Sequence, residues 1–417
     1  MILQTNYIPY KKPELVSPAG DMEKLKTAIE YGADAVYAGG EAFNLRMGAN
    51  NFTLQEIQEA TAWIHERGKR IYITLNIFAR NYHIQGLRSY LKKLAGIPVD
   101  ALIVSDPGVF MTAGEIAPHI PVHLSTQANT TNTKSVEFWQ RQNVTRVILA
   151  REMTLGEIKE IAHNSEIETE VFVHGAMCMS YSGRCLLSGF MSNRHANLGD
   201  CSHSCRWQYT LKEEKRPHES YPIVEDETGT FILSSRDLCM IQHIPELVQA
   251  GITAWKIEGR MKSPYYVAAV TRIYRTALDL YFSDPDKFMY NPCWLSELEK
   301  VSHREYGTGF FFGNQGYNSQ TTHSGNSYIN EYNYLGMVDN VLPDGLAEIT
   351  VKNSIRNNTP LEIMGKHMHE DFSQTVTDIR NEYHENIKAA HVGQKVLIKM
   401  TSPVNKYFML RKRDDMS

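Results

Sequence analysis

Five of the six cysteines, Cys178, Cys185, Cys201, Cys205 and Cys239, fall within one stretch of the chain. Cys201 and Cys205 bracket Ser202-His203-Ser204, a spacing that lets two thiolates turn toward one centre, and Gly183 lets the backbone curl just before Cys185. Three readings of these thiols stand side by side. Structural zinc takes four tetrahedral ligands from tightly spaced cysteine pairs, a pattern that Cys201 and Cys205 meet and Cys178 and Cys185 do not. An iron–sulfur cluster also takes four thiolates and tolerates wider spacing, because its core is larger than one ion. Buried, unligated thiols are the third reading. Arg184, Arg194, Arg206, Lys212, Lys215 and Arg216 interleave with the cysteines, as do Tyr181, Trp207 and Tyr209. A basic, aromatic loop suits an RNA base stacked on a ring with its phosphates neutralised nearby, and Arg184, Arg206 and Trp207 are its candidate contacts. The same cations would equally offset the charge of a thiolate cluster.

A second set of polar residues recurs where short β-rich runs end: Asn44 and Arg46, Asn76, Ser105 and Asp106, Ser125 with Gln127 and Asn129, Arg151 and Glu152, then Glu258 and Arg260. The runs that must position them are Glu14–Ser17, Ala35–Ala38, Arg70–Leu75, Ala101–Ser105, Val122–Ser125, Val147–Ala150, Val171–His174 and Trp255–Ile257. Most lead through a turn into a segment with helical apolar spacing, the βα pattern. Runs such as Ala101-Leu102-Ile103-Val104 are apolar on both faces, as in a parallel sheet covered by helices outside and filled by side chains inside. A TIM-like (β/α)8 barrel closes such a series economically, and its active site is built at the C-terminal strand ends. No Gly-x-Gly-x-x-Gly turn follows any of the runs, which argues against an open dinucleotide-binding sheet.

The barrel is expected over residues 1–281, with a cysteine-rich insertion at about 175–216. Residues 282–333 are rich in Asn, Gly, Ser and Tyr and read as a linker or irregular excursion. From 334 to 417 short alternating runs separated by turn residues predict a small all-β barrel domain. The 417 residues carry 43 Lys plus Arg against 47 Asp plus Glu, a net charge of −4, so any nucleic-acid contact must be local rather than a global field. No apolar run approaches the ~20 residues that cross a bilayer, and the polar start of the chain lacks a leader pattern. A cytoplasmic protein is expected, in a compartment where clustered thiols hold metal or do chemistry more often than they form disulfides. Serine-hydrolase elbows, His-Glu-x-x-His helices and phosphate-binding Gly-Lys loops are missing from the sequence.

Several stretches together resemble the collagenase-like peptidase family of unassigned catalytic type. They are Pro13-Glu14-Leu15-Val16-Ser17-Pro18-Ala19-Gly20, Glu170 to Cys178, Tyr181 to Ser188, and Lys256-Ile257-Glu258-Gly259-Arg260-Met261-Lys262-Ser263. Within that family the run Cys201-Ser202-His203-Ser204-Cys205-Arg206-Trp207 is similar to the branch that makes 5-hydroxyuridine at the tRNA wobble position, using prephenate rather than molecular oxygen. The resemblance implies a barrel with a C-terminal β domain, tRNA and prephenate as partners, and a [4Fe-4S] cluster on Cys178, Cys185, Cys201 and Cys205. Cys239 is an alternative fourth ligand, zinc an alternative metal, and a related partner subunit is in keeping with the family. Prephenate carries two carboxylates, which arginine binds in bidentate fashion, so Arg46, Arg151 and Arg260 are nominated as clamps, with Asn76, Gln127, Glu258 and His174 beside them. The family name implies peptide hydrolysis as the competing activity, for which the sequence supplies no nucleophile and base pair.

Overall fold

The computed structural model describes residues 10–44, 51–178, 180–182, 184–206, 224–226, 229–231, 235–313 and 328–414. Eight strands rich in β-branched and apolar residues form its centre: β1 (Glu14–Ala19), β2 (Ala35–Gly39), β3 (Arg70–Leu75), β4 (Ala101–Val104), β5 (Val122–Leu124), β6 (Arg146–Ile148), β7 (Glu168–Gly175) and β8 (Ala254–Ile257). Each pairs in parallel with the next, and β8 pairs with both β7 (Trp255 opposite Val171) and β1 (Trp255 opposite Leu15), which closes the barrel. The expected (β/α)8 architecture is therefore the observed one.

The helices between strands have their own local causes. Asp21 caps helix Met22–Glu30 by accepting from Lys24 N at 2.9 Å, and Gly32, at φ +102°, turns the chain out of it. Thr53 and Glu56 form a capping box on helix Leu54–His65. The closing helix, Pro264–Ser283, is the longest and is buried along most of its length.

Side chains of Glu170 and Phe172 on β7 and of Lys256 on β8 enter the barrel, and its interior is more charged than the branched apolar filling usual for this fold. Arg146 is buried and reaches Glu14 at 2.6 Å, Glu168 at 2.5 Å and Glu170 at 3.0 Å. Glu170 in turn holds Lys256 at 2.7 Å. Tyr72 donates to both Glu14 oxygens, at 2.8 and 2.9 Å. Every one of these charges has an opposite partner, the condition under which burial is tolerated.

Between β7 and β8 the chain leaves the barrel. It contains helix Leu187–Ser192 and a strand, Asp237–Cys239, that runs antiparallel to the end of β7 with Cys239 opposite His174. The stretch expected to be an irregular linker over 282–333 is partly regular. Asn291 accepts from Cys293 N at 3.0 Å and starts helix Pro292–Glu299, whose Trp294 and Leu298 are buried one turn apart. Strand Tyr306–Gly307 then pairs with Asp237–Cys239. The polar composition of the stretch hid an i, i+4 apolar pair strong enough to dock a helix.

The C-terminal domain begins with strand Tyr332–Val341 and is an eight-stranded antiparallel sheet curled around its own apolar core, which includes Val338, Ile349, Ile363, Val396, Ile398 and Leu410. Its end strands, Phe372–Thr375 and Asn386–Ile387, are not paired with each other among the described residues, so the expected β barrel has an open seam. A buried polar knot joins the domain to the barrel. Arg272 of the closing helix reaches Glu297 at 3.0 Å and Asp371 at 2.6 Å, and Arg411 reaches Glu297 at 3.0 Å.

Candidate active site

Every barrel strand except β1, or the turn that follows it, contributes to one pocket at the C-terminal mouth. Its lining comprises Tyr37, Thr74, Asn76, Ile103, Ser125, Thr126, Gln127, Ile148, Arg151, Phe172, Lys256, Glu258 and Arg260. Three cations face it from different elements. Arg260 is buried, donating from one terminal nitrogen to Thr74 Oγ1 at 3.2 Å and from the other to Asn44 Oδ1 at 3.2 Å and Asn51 Oδ1 at 2.7 Å. Its seat exists because β2 ends in Gly39: a Cβ there would lie 2.1 Å from a guanidinium nitrogen. Arg151 lies over the Phe172 ring with Cζ 3.8 Å from its centroid, donates to Ala176 O at 2.8 Å, and has a buried Nε without a partner. Lys256 Nζ lies 4.3 Å from the Tyr37 ring centroid and 5.6 Å from that of Phe172.

Glu258 is the sole carboxylate of the lining and accepts from Tyr37 Oη at 3.1 Å. Gln127 Oε1 accepts from Ser125 Oγ and, at 3.4 Å, from Asn76 Nδ2, which orders the wall between β3 and β5. Burial pulls the Lys256 ammonium below its ordinary pKa in spite of the opposing Glu170. Burial would raise Glu170, but Lys256 and Arg146 overcome it and hold the carboxyl below its ordinary range. A compact pocket with two guanidiniums, one ammonium and one carboxylate is suited to a small anion carrying more than one negative charge.

Of the expected pocket residues, Asn76, Gln127, Arg151, Glu258 and Arg260 are brought together. Arg46 lies outside the described residues. His174 is not in the lining: it is buried against Tyr266, Tyr274 and Tyr306, and burial takes its imidazole down to about 3, so it stays neutral. The pairing of β7 with β8 shifts register between Lys256 and Ile257, which carries the end of β7 out of the inward alternation. Lys256, Tyr37 and Phe172 were missed. The signal for Lys256 was a lone charge in the apolar strand Ala254-Trp255-Lys256-Ile257, at the same parity as Glu258 and Arg260.

The cysteine loop begins where Arg151 binds Ala176 O, so it borders the pocket. Cys178 is exposed, Cys185, Cys201 and Cys205 are half-buried, and all four are unbridged. The segments carrying Cys185 and Cys201 meet: Ser188 Oγ lies 2.9 Å from Ser202 Oγ and accepts from Ser202 N at 2.9 Å. Among the described residues no group of three or more Cys, His, Asp or Glu is arranged to hold a metal ion. Four thiols are the donor type that a thiolate-bound cluster takes, but the expected convergence of their sulfurs on one centre is not seen among the described residues. Cys239 is different. It is buried in its strand, and burial pushes its thiol up to about 12, which disfavours the thiolate that a metal requires. Arg184 is exposed, with Cζ 5.3 Å from the Phe78 ring centroid on the loop after β3, while Trp207 and the Arg206 side chain lie outside the described residues.

The sequence pattern of peptidase family U32 matches residues 20–321, and that of the family's C-terminal domain matches residues 330–411. The chain belongs to peptidase family U32. Among its relatives, the tRNA hydroxylation protein P1 of Bacillus subtilis is 41% identical over 404 residues, covering 96% of this chain and 95% of that protein. The tRNA hydroxylation protein P of Escherichia coli is 37% identical over 85% of this chain and 86% of its own length. The 23S rRNA 5-hydroxycytidine C2501 synthase of Escherichia coli is 37% identical over 64% of this chain and 39% of its length. Among the described residues, the pocket lining holds neither histidine nor cysteine to pair with Ser125 or Thr126.

Proposed function

We propose that this chain is an RNA hydroxylase acting on tRNA, with wobble uridine as its target base, C5 as the position hydroxylated, and prephenate as co-substrate in place of molecular oxygen. The observation that carries the reading is the pocket itself: Arg151, Lys256 and Arg260 confront a small volume with one opposing carboxylate, Glu258. Prephenate has two carboxylates, one on a ring carbon and one at the end of the pyruvyl arm carried by that same carbon, and two guanidiniums on different walls suit them by bidentate pairing. Substituting a hydroxyl for a ring hydrogen is an oxidation, and a [4Fe-4S] cluster on Cys178, Cys185, Cys201 and Cys205 would supply the electron transfer that side chains lack. The chain's own residues bind and orient the co-substrate and exclude water from it. Arg184, exposed over the Phe78 ring on the loop after β3, would meet RNA phosphates, and with no net positive field such a local contact matters more.

The test is expression of the chain in a strain that lacks hydroxyuridine in its tRNA, followed by nucleoside analysis with and without prephenate synthesis. Hydroxyuridine should appear only when prephenate is made, and Arg260→Lys, which keeps charge but loses the planar fork, should abolish it. Anaerobically purified protein should contain iron and sulfide. Stoichiometric zinc without iron would overturn the cluster, and unmodified tRNA in the presence of iron-loaded protein and prephenate would overturn the hydroxylase reading.

A further inference from the structure

The pocket's third cation calls for a role that a guanidinium does not fill. Lys256 is the only lysine in the pocket lining, is buried, and presents Nζ between the Tyr37 and Phe172 rings. Glu170, 2.7 Å from Nζ, is fixed from behind by Arg146 at 3.0 Å. Arg151 lies against the same Phe172 ring as Lys256, at 3.8 Å. An amine beside a fixed carboxylate, with a guanidinium on the shared ring, fits a carbonyl whose neighbouring carbon is a carboxylate. That is a 2-oxo acid.

We propose that Lys256 is a catalytic residue that binds a 2-oxo acid covalently, as a protonated imine, in the barrel pocket. This rests on the co-substrate reading above, since prephenate carries such an arm. The Nζ ammonium gives one proton to Glu170, and the free amine adds to the keto carbon while the carbonyl π pair moves to oxygen. The second N–H proton passes to that oxygen, Glu170 returns its proton to the resulting hydroxyl, and water leaves as the C=N bond forms. One ammonium and one ketone become one iminium and one water, with no change of oxidation state, and hydrolysis reverses the step. Burial, which pulls Lys256 below its ordinary pKa, makes the amine easier to reach. The iminium keeps the positive charge beside Glu170, so the buried pair survives the reaction, and it draws electrons from the substrate more strongly than the parent ketone.

The experiment uses the full-length protein with pyruvate, with prephenate, and with lactate as the keto-free control, each reduced by cyanoborohydride and read by intact mass and peptide mapping. One adduct per chain on Lys256 is expected with both oxo acids and none with lactate. Lys256→Arg, which retains the ion pair with Glu170, should lose both the adduct and hydroxylation while keeping its unfolding midpoint. Absence of an adduct, an adduct on another lysine, or hydroxylation by Lys256→Arg at the native rate would overturn the proposal. Hydroxylation that proceeds with prephenate while nothing is trapped overturns the covalent role and leaves the function standing. Trapping of pyruvate but not prephenate supports Lys256 as an imine-forming residue and counts against prephenate as co-substrate.

Discussion

Gly39→Ala tests the Arg260 seat with a single methyl group. A Cβ at Gly39 would lie 2.1, 2.7 and 2.8 Å from three atoms of the Arg260 guanidinium, and Gly39 ends an ordinary extended strand, so alanine itself fits the backbone. The collision must therefore be relieved by moving the guanidinium more than about 1 Å, to reach ordinary contact distance. That movement loosens its bonds to Thr74, Asn44 and Asn51. Bonds from a charged donor contribute about 1.5–3 kcal/mol each, but a guanidinium displaced into the pocket regains water, so a net loss of about 1–3 kcal/mol in stability is expected. Function should suffer more. A misplacement of about 1 Å in a positioning group costs about 100-fold, or roughly 2.7 kcal/mol of transition-state binding. The assay pairs kcat/KM for the anionic co-substrate with urea unfolding. Gly114→Ala serves as control, because no atom lies within 4 Å of its added methyl group. A Gly39→Ala protein with native kcat/KM, or one whose loss merely tracks its unfolding, would refute the claim that Arg260 must sit where Gly39 lets it sit.

Three further outcomes are expected. Glu170→Gln leaves Lys256 buried without its carboxylate and should cost about 3–5 kcal/mol in unfolding free energy, a loss reduced when Lys256→Met is added; equal costs in both backgrounds would show that the pair is not coupled. Glu297 is held at about 2, against an ordinary 4.5, because Arg411 and Lys300 overcome its burial. Its folded pKa is depressed, so its contribution of about 3 kcal/mol is present above pH 4.5 and disappears as pH falls toward 2. Glu297→Gln should accordingly be destabilised at pH 7 and converge on the native protein near pH 2, which denaturant titrations across that range would measure. Cys185→Ala should lower the iron content of anaerobically purified protein and Cys239→Ser should not, since the latter thiol is buried and protonated; loss of iron from Cys239→Ser would make it a ligand after all.

The eight strands were legible because their apolar runs are short, bounded by turns and followed by amphipathic segments. Their N-terminal ends were less so. Runs expected to begin at Val147 and Val171 begin at Arg146 and Glu168, charged residues that the hydrophobic pattern assigns to solvent. They belong to the strands because a barrel lumen can pair charges from strands far apart in sequence, as Arg146 does with Glu14 across 132 positions. No local pattern contains such a partner. The same blindness hid Lys256, whose role depends on Glu170, 86 positions away. The mouth residues were found by a topological rule, strand end by strand end, and that rule failed at His174, where an irregularity in the pairing with β8 breaks the alternation. The cysteines were conspicuous by number, but bringing their sulfurs together depends on a long excursion whose path no spacing rule specifies.

The distribution of charge along the barrel explains why the anion site sits at one end of it. Below the pocket, Arg70 and Arg146 are answered by Glu14, Glu168 and Glu170, so the lower lumen is neutralised by its own pairs. At the mouth the lining holds Arg151, Lys256 and Arg260 with one carboxylate, Glu258. Lys256 joins the two regions, since Glu170 compensates it from below while its ammonium still lines the pocket above. A low-dielectric wall strengthens any charge it leaves uncompensated, and at a few ångströms that effect outweighs the same residues' attraction in water several-fold. The cations that line the pocket thus sit at the strand ends, where a ligand can enter, while the lower half of the lumen is filled by its own ion pairs. A protein of net charge −4 can in this way hold a small anion tightly without offering a broadly basic surface.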